Sequence, residues 1–179
     1  KPTQIFAFIR QWFRVVQPKV RNLDAARAAA EADRLVKVLE AEQYGNQQLM
    51  SLVGSPLMLT LLCIVVLRGG EMPRQRVQFY ERCLRVLLET WRKSQAGSDP
   101  LLLPDVAVEV LKPIAHRLHA ANQQEVDELV LANWLDEQLV ARQLAPTGPE
   151  VLQWLHKGAG LLQSPTKGRF KFSHLGFQE

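Results

Sequence analysis

The sequence predicts a mainly α protein: a helical bundle, then a smaller domain of three helices closed by a β-hairpin. Three observations carry that prediction. Apolar residues recur at three- and four-residue spacing through most of the 179 residues. One convincing linker, Ser94-Gln95-Ala96-Gly97-Ser98-Asp99-Pro100, interrupts the pattern. Last come Gly160-Leu161-Leu162-Gln163 and Arg169-Phe170-Lys171-Phe172, two strand-like runs joined by the turn Ser164-Pro165-Thr166-Lys167-Gly168. The boundary at the linker gives domains 1–95 and 96–179.

The first helix spans 3–16, with Ile5, Phe6, Ile9, Trp12, Phe13 and Val16 as one apolar stripe; Pro2 suits its first turn and Pro18 stops it. Asp24 caps a second helix running to about residue 40, whose buried end is Leu35, Val38 and Leu39. A short helix near 47–53 closes at Gly54-Ser55-Pro56. The run 57–67 is apolar at every position but Thr60, as an interior helix would be. It is too short for a membrane span, which needs ~20 residues. Gly69-Gly70 ends it. Pro73 opens the longest helix, to about residue 93, with Val77, Tyr80, Leu84, Leu87, Leu88 and Trp91 as its buried face. Beyond the linker, 105–120 reads as a helix kinked near Pro113. Helices at 129–139 and 149–157 precede the hairpin. Three helices and a terminal hairpin make the plan of a winged helix.

The composition, 47% hydrophobic and 22% charged, is that of an ordinary globular protein and argues against extensive disorder. The net charge of +4 matches one segment, 68–93. There seven basic residues (Arg68, Arg74, Arg76, Arg82, Arg85, Arg92, Lys93) face three glutamates (Glu71, Glu81, Glu89), and seven minus three is four. A solvated helix face is the plain reading; nucleic acid, an anionic membrane or an acidic neighbouring domain are the others. Cys63 and Cys83 sit among apolar residues without metal-ligand or CxxC spacing, as buried free thiols in a reducing compartment would. No signal peptide is visible. The chain opens Lys1-Pro2-Thr3 without a Met and closes Phe177-Gln178-Glu179 without a helix cap, as expected of an excerpt from a longer protein.

The motifs of catalysis are missing from the sequence. There is no GxxxxGK[ST], whose backbone N–H groups and lysine cradle phosphates, and no GxGxxG or GxSxG. No acidic pair stands out for acid–base work. The expectation is a chain that is not itself an enzyme, with no catalytic residue. His116 and His119, three apart on one helix, could share a metal only with further ligands that the spacing does not offer, so no metal is expected. His156 is expected to pack near the hairpin. His174 follows the second strand, where its side chain could reach into a cleft.

Two stretches are more specific. Gly54-Ser55-Pro56-Leu57-Met58-Leu59-Thr60-Leu61-Leu62-Cys63, followed by Met72-Pro73 and Arg76-Val77-Gln78-Phe79-Tyr80-Glu81, resembles the first helical domain of NACHT proteins, with its Gly-x-Pro turn, apolar helix and basic amphipathic helix. Phe172-Ser173-His174-Leu175-Gly176-Phe177-Gln178-Glu179 is similar to the FxHxxFQE end of the NACHT winged-helix domain, departing from the usual pattern at Gly176. The opening run with Ile9 and Trp12-Phe13 resembles the start of the helical domain in bacterial NACHT proteins.

The resemblance implies a regulatory part of a STAND-class ATPase switch. By that resemblance Pro56 would pack its ring on an adenine, Gly54 would let the backbone turn there, and His174 would donate a hydrogen bond to the β-phosphate of ADP. The nucleotide, ADP or ATP, would be shared with an N-terminal NTPase domain of the same chain, with Mg expected only in that parent. Further implications are homo-oligomerisation on activation, a cytoplasmic location, and signalling in antiphage or innate-immune-type defence. Neither a membrane nor nucleic acid is an expected partner. Two other readings compete: a winged-helix DNA-binding module, using Lys167, Arg169 and Lys171 on phosphates, and a helical protein-interaction scaffold. Against the first, the helix 149–157 offers Lys157 as its one fixed positive charge, opposed by Glu150.

Overall fold

The computed structural model of the chain describes residues 1–20, 23–45, 50, 52–68, 75–94 and 101–179. It divides into two compact units, Lys1–Cys83 and Leu84–Glu179. The division falls inside one helix, upstream of the boundary read from the sequence. The linker positions 95–100 lie outside the described residues, as do 47–49 and Ser51 of the short helix, Gly69-Gly70, and Met72-Pro73-Arg74.

In the first unit, α1 (Pro2–Val16) begins on Pro2 and passes at Pro18 into a single tight turn, Gln17–Lys19. Ile9 and Phe13 are its fully buried residues. α1 packs on α2 (Ala25–Gly45) and α3 (Pro56–Leu67). Asp24 opens α2 as expected, its carboxylate accepting the Arg27 N–H at 2.7 Å. The helix continues past residue 40, to Gly45. Ala28, Ala32, Leu35, Val36 and Leu39 form its core face, so Val36 takes the place expected of Val38, which is half-buried. α3 is buried nearly all round: Met58, Leu59, Leu61, Leu62, Cys63, Val65 and Val66 are all in the core. Each large side chain so removed from water contributes about 1.5–3 kcal/mol. Thr60 satisfies its hydroxyl by donating to the Pro56 carbonyl at 2.8 Å.

The face of α4 (Arg76–Ser94) differs from the sequence reading. Phe79, Tyr80, Cys83, Val86 and Leu88 are buried, whereas Val77 is 74% exposed and Leu84 and Leu87 are half-buried. Apolar residues occupy two adjoining arcs of this helix, and both satisfy three- and four-residue spacing. The arc carrying the large Phe79 ring went inward. The side chain of Trp91 lies outside the described residues.

The second unit begins within α4. Its α5 (Pro104–Ala120) runs through Pro113 as one element. A proline cannot donate to the carbonyl four residues earlier, here that of Glu109. Arg142 supplies the missing donor, its Nη2 reaching the Glu109 main-chain carbonyl at 3.1 Å. α6 (Glu128–Ala141) is capped by Asp127, whose carboxylate accepts the Leu129 N–H at 2.9 Å. α7 (Gly148–Gln153) is the α-helical part of the helix expected over 149–157, which continues without a break to Gly158. From Trp154 to Gly158 the chain widens, the Ala159 N–H reaching back five residues to the Trp154 carbonyl at 2.9 Å. Gly160, at φ +64°, then turns the chain toward the hairpin.

The sheet is antiparallel in the order β1-β3-β2: β1 (Val126–Asp127), β2 (Leu162–Thr166) and β3 (Arg169–Phe172). Leu162 faces Phe172, Gln163 faces Lys171 and Val126 faces Phe170. The sequence reading missed β1. It also placed Ser164-Pro165-Thr166 in the turn, but these belong to β2. The turn itself is Lys167-Gly168, with Gly168 at φ +75°. Pro165 is tolerated because β2 is an edge strand, and the pairing is irregular between Gln163 and Thr166. Helix, short strand, helix, helix and hairpin give the winged helix–turn–helix expected.

Candidate functional site

The turn before α3 places Gly54 and Pro56. Leu52 and Val53 are buried at 5% and 1% exposure and anchor one side of it. The Ser55 N–H meets the Leu52 carbonyl at 3.4 Å. Ser55 is extended (φ −81°, ψ 127°), as a residue before proline must be, and its carbonyl accepts the Leu59 N–H at 2.9 Å to start the helix. Pro56 takes the first helical position, where its missing N–H leaves no orphan. Its ring is exposed while Met58 and Leu59 point into the core. The turn therefore presents a rigid apolar face outward. Gly54 is exposed in the same turn; among the described residues the glycines with positive φ are Gly160 and Gly168.

His174 belongs to the other unit. It follows β3 and caps a last tight turn, Leu175–Phe177. Its Nδ1 accepts the Gly176 N–H at 3.1 Å. That bond sets the tautomer of the neutral ring: with Nδ1 accepting, the proton sits on Nε2. The ring is half-buried and lies edge-on to Phe177, 6.0 Å between centroids. Around it the backbone is tied down. Ser173 N–H donates to the Leu161 carbonyl at 2.9 Å. Gln178, 6% exposed, donates through Nε2 to the Gln123 carbonyl at 2.7 Å. The Ser173 hydroxyl beside His174 is buried with no hydrogen-bond partner among the described residues. The sequence reading did not single out Ser173 or Gln178; the one available signal was the position of Gln178 within the FQE end motif.

The other titratable groups have structural explanations. His156 packs at the base of the hairpin as expected, Nδ1 3.1 Å from the Leu162 carbonyl and ring edge-on to Phe170 at 5.3 Å. His116 and His119 are exposed, and among the described residues no group of three or more His, Cys, Asp or Glu could hold a metal ion. Cys63 and Cys83 are free and buried, and burial pushes both thiols up to about 12, which keeps them protonated and unreactive near neutrality. Among the described residues no helix is long and apolar enough to cross a membrane.

The wing carries Lys167 and Arg169 exposed and Lys171 half-buried, but Arg169 turns to Glu125, 3.9 Å from its carboxylate and 3.5 Å from its carbonyl. The helix that a DNA-reading winged helix would insert is α7. Together with the wider turn that continues it to Gly158, it exposes Pro149, Glu150, Gln153 and Lys157.

A family model for the winged helix-turn-helix domain C-terminal to NACHT matches residues 76–179, more than half of the chain. The chain belongs to that family. Comparison with curated proteins and with solved structures finds no match. The NACHT-associated winged helix thus covers the whole second unit and the described start of α4, and it includes His174 and the end motif. Gly54 and Pro56 lie upstream of the matched residues. They share one turn in the first unit, and His174 stands in the second.

Proposed function

We propose that this NACHT-associated chain is the regulatory lid of a STAND-type ATPase switch, closing over ADP or ATP held by an NTPase domain of the same protein. The observation that carries the reading is the hydrogen bond from the Gly176 N–H to His174 Nδ1. It fixes the ring and leaves the proton of the neutral imidazole on Nε2, which makes His174 an oriented donor suited to a phosphate oxygen. The buried, unpartnered Ser173 hydroxyl beside it is a second polar group that a bound anion would satisfy. The exposed Pro56 ring, held at a helix start, is suited to lie on a base. In this reading the chain supplies no catalytic group and no metal ligand, and Mg belongs to the NTPase domain with the nucleotide. Nucleotide biases the switch only through its difference in affinity for closed and open forms. Release of the lid would free the protein to oligomerise and signal in the cytoplasm, in antiphage or innate-immune-type defence. The DNA-binding reading is weaker, because α7 and its continuation expose one fixed positive charge, Lys157, opposed by Glu150, where groove contacts need several donors.

The test is the ADP content of the purified parent protein with His174→Asp and His174→Asn. Aspartate and asparagine can both cap the last turn, but only asparagine keeps a donor. Loss of ADP in the aspartate variant and its retention in the asparagine variant, both folded, is the expected result. Equal ADP in both removes His174 from the nucleotide site.

A further inference from the structure

Two surfaces that the lid reading does not use are complementary in charge. The first 23 residues contain five basic side chains, Lys1, Arg10, Arg14, Lys19 and Arg21, and no acidic one. α1 and α2 leave a groove of about 290 Å³ between them, floored by Phe13 and the small side chains of Ala25, Ala28, Ala29 and Ala32. Arg10, Arg14 and Asp33 stand on its rim. Arg10 is shared with Asp33 at 3.1 Å, and Arg14 has no carboxylate partner among the described residues. In the second unit, the junction of β1 and α6 places three carboxylates in four residues, Glu125, Asp127 and Glu128. Leu129, 74% exposed, and Val130, 40% exposed, follow them on the surface. Glu125 meets Arg169 and Asp127 caps its own helix, whereas Glu128 has no basic partner among the described residues.

We infer that the α1–α2 groove receives the acidic, apolar-tipped segment 127–130 of a second copy of this chain. Leu129 and Val130 would enter the alanine-lined floor, and Glu128 would meet Arg14. The groove is about twice the size of the ~150 Å³ cavity that holds a benzene ring, enough for two aliphatic side chains. Groove and knob are different surfaces, so the contact is head-to-tail and adds copies without self-closure unless the rotation closes a ring. A knob of this size buries far less than the ~1,200 Å² of a stable interface, so the association is weak and salt-sensitive. The inference deepens the lid reading by naming the surfaces through which copies meet. It needs no nucleotide, so it is tested apart from that reading.

The experiment is sedimentation velocity of the 179-residue chain across a concentration series at low and high salt. Wild type is expected to gain weight-average mass with concentration, and to lose that gain in high salt. Arg14→Glu and Glu128→Arg, each alone, are expected to abolish the gain. An equimolar mixture restores it, because the intact knob of one variant meets the intact groove of the other. Leu129→Ala, at an exposed position that leaves the fold intact, is expected to weaken it at least tenfold. A chain monomeric at every concentration overturns the inference. So does association that survives Arg14→Glu, or a mixture that fails to restore it. Binding of anionic vesicles lost in Arg14→Glu, without self-association, also overturns it and assigns the groove to a lipid surface. None of these outcomes bears on ADP retention at His174.

Discussion

Gly148 is where the second unit tolerates no side chain. A Cβ built there would lie 2.1 Å from the Ala132 carbonyl oxygen, 2.9 Å from Asp136 Cγ and 3.0 Å from the Ala132 carbonyl carbon. The first and last are backbone atoms of α6, so no rotamer change relieves the clash. Comfortable non-bonded contact needs about 3.5 Å, so Gly148→Ala forces α6 and α7 apart by roughly 1 Å. That opens the contact between α6, which buries Leu135 and Leu139, and α7, which buries Val151 and Leu152. Overpacking of this kind costs about 1–3 kcal/mol. Separation also stretches the bond from the Gly148 N–H to the Asp136 carboxylate, worth about 1.5–3 kcal/mol. The sum is about 2.5–6 kcal/mol, and a domain the size of the second unit, Leu84–Glu179, loses roughly 4–8 °C in Tm per kcal/mol. Gly160→Ala is the matched control. Its φ of +64° disfavours a side chain, yet a Cβ there meets no atom within 4 Å, so only the backbone term of about 1–2 kcal/mol applies. Thermal unfolding of the full chain by near-UV circular dichroism should show Gly148→Ala falling by at least about 10 °C, and by more than Gly160→Ala. A Gly148→Ala Tm within about 2 °C of wild type, or the reverse order of the two variants, refutes the close-approach argument.

Two further outcomes follow from the same unit. Arg142→Ala should cost about 1 kcal/mol in urea unfolding, because it strips the donor from the Glu109 main-chain carbonyl that Pro113 leaves open. The loss should shrink in a Pro113→Ala background, where residue 113 regains an N–H, and equal losses in both backgrounds would refute the pairing. Glu150 is held below its ordinary 4.5 chiefly by the Thr147 N–H and then by the Thr147 hydroxyl, at 2.7 and 2.8 Å. Its folded value is lowered, so its stabilisation is complete above the ordinary value and is lost as pH falls through the folded one. The stability gap between wild type and Glu150→Gln should therefore be full at pH 6 and close in acid; a gap that widens in acid contradicts the sign.

Where local chemistry decides an element, the sequence is readable. Proline and aspartate set the starts of α1 and α2, and an unbroken apolar run can only be an interior helix such as α3. The errors arose where tertiary contacts decide. α4 offers two arcs of equal periodicity, and only packing chose Phe79 over Val77. β1 is two residues in an acidic loop and exists because Phe170 and Arg169 pair with it. Pro165 reads as turn, yet an edge strand needs no donor on its outer side. The candidate residues divide in the same way. Gly54-Ser55-Pro56 and His174 stand out by motif, whereas the orphaned Ser173 hydroxyl and the Gln178 anchor depend on neighbours far along the chain.

The end motif shows how those levels meet. In Phe172-Ser173-His174-Leu175-Gly176-Phe177-Gln178-Glu179, Phe172, Phe177 and Gln178 are each 6% exposed, and His174 alone among the motif's rings is half-open. Two aromatic rings and an amide that reaches the Gln123 carbonyl thus anchor the turn that carries the imidazole. Glycine at 176, where the family pattern usually has a polar or β-branched residue, leaves this arrangement intact for a simple reason. The cap on His174 uses the main-chain N–H of residue 176, which every residue but proline provides, and the position is buried, where the smallest side chain crowds nothing.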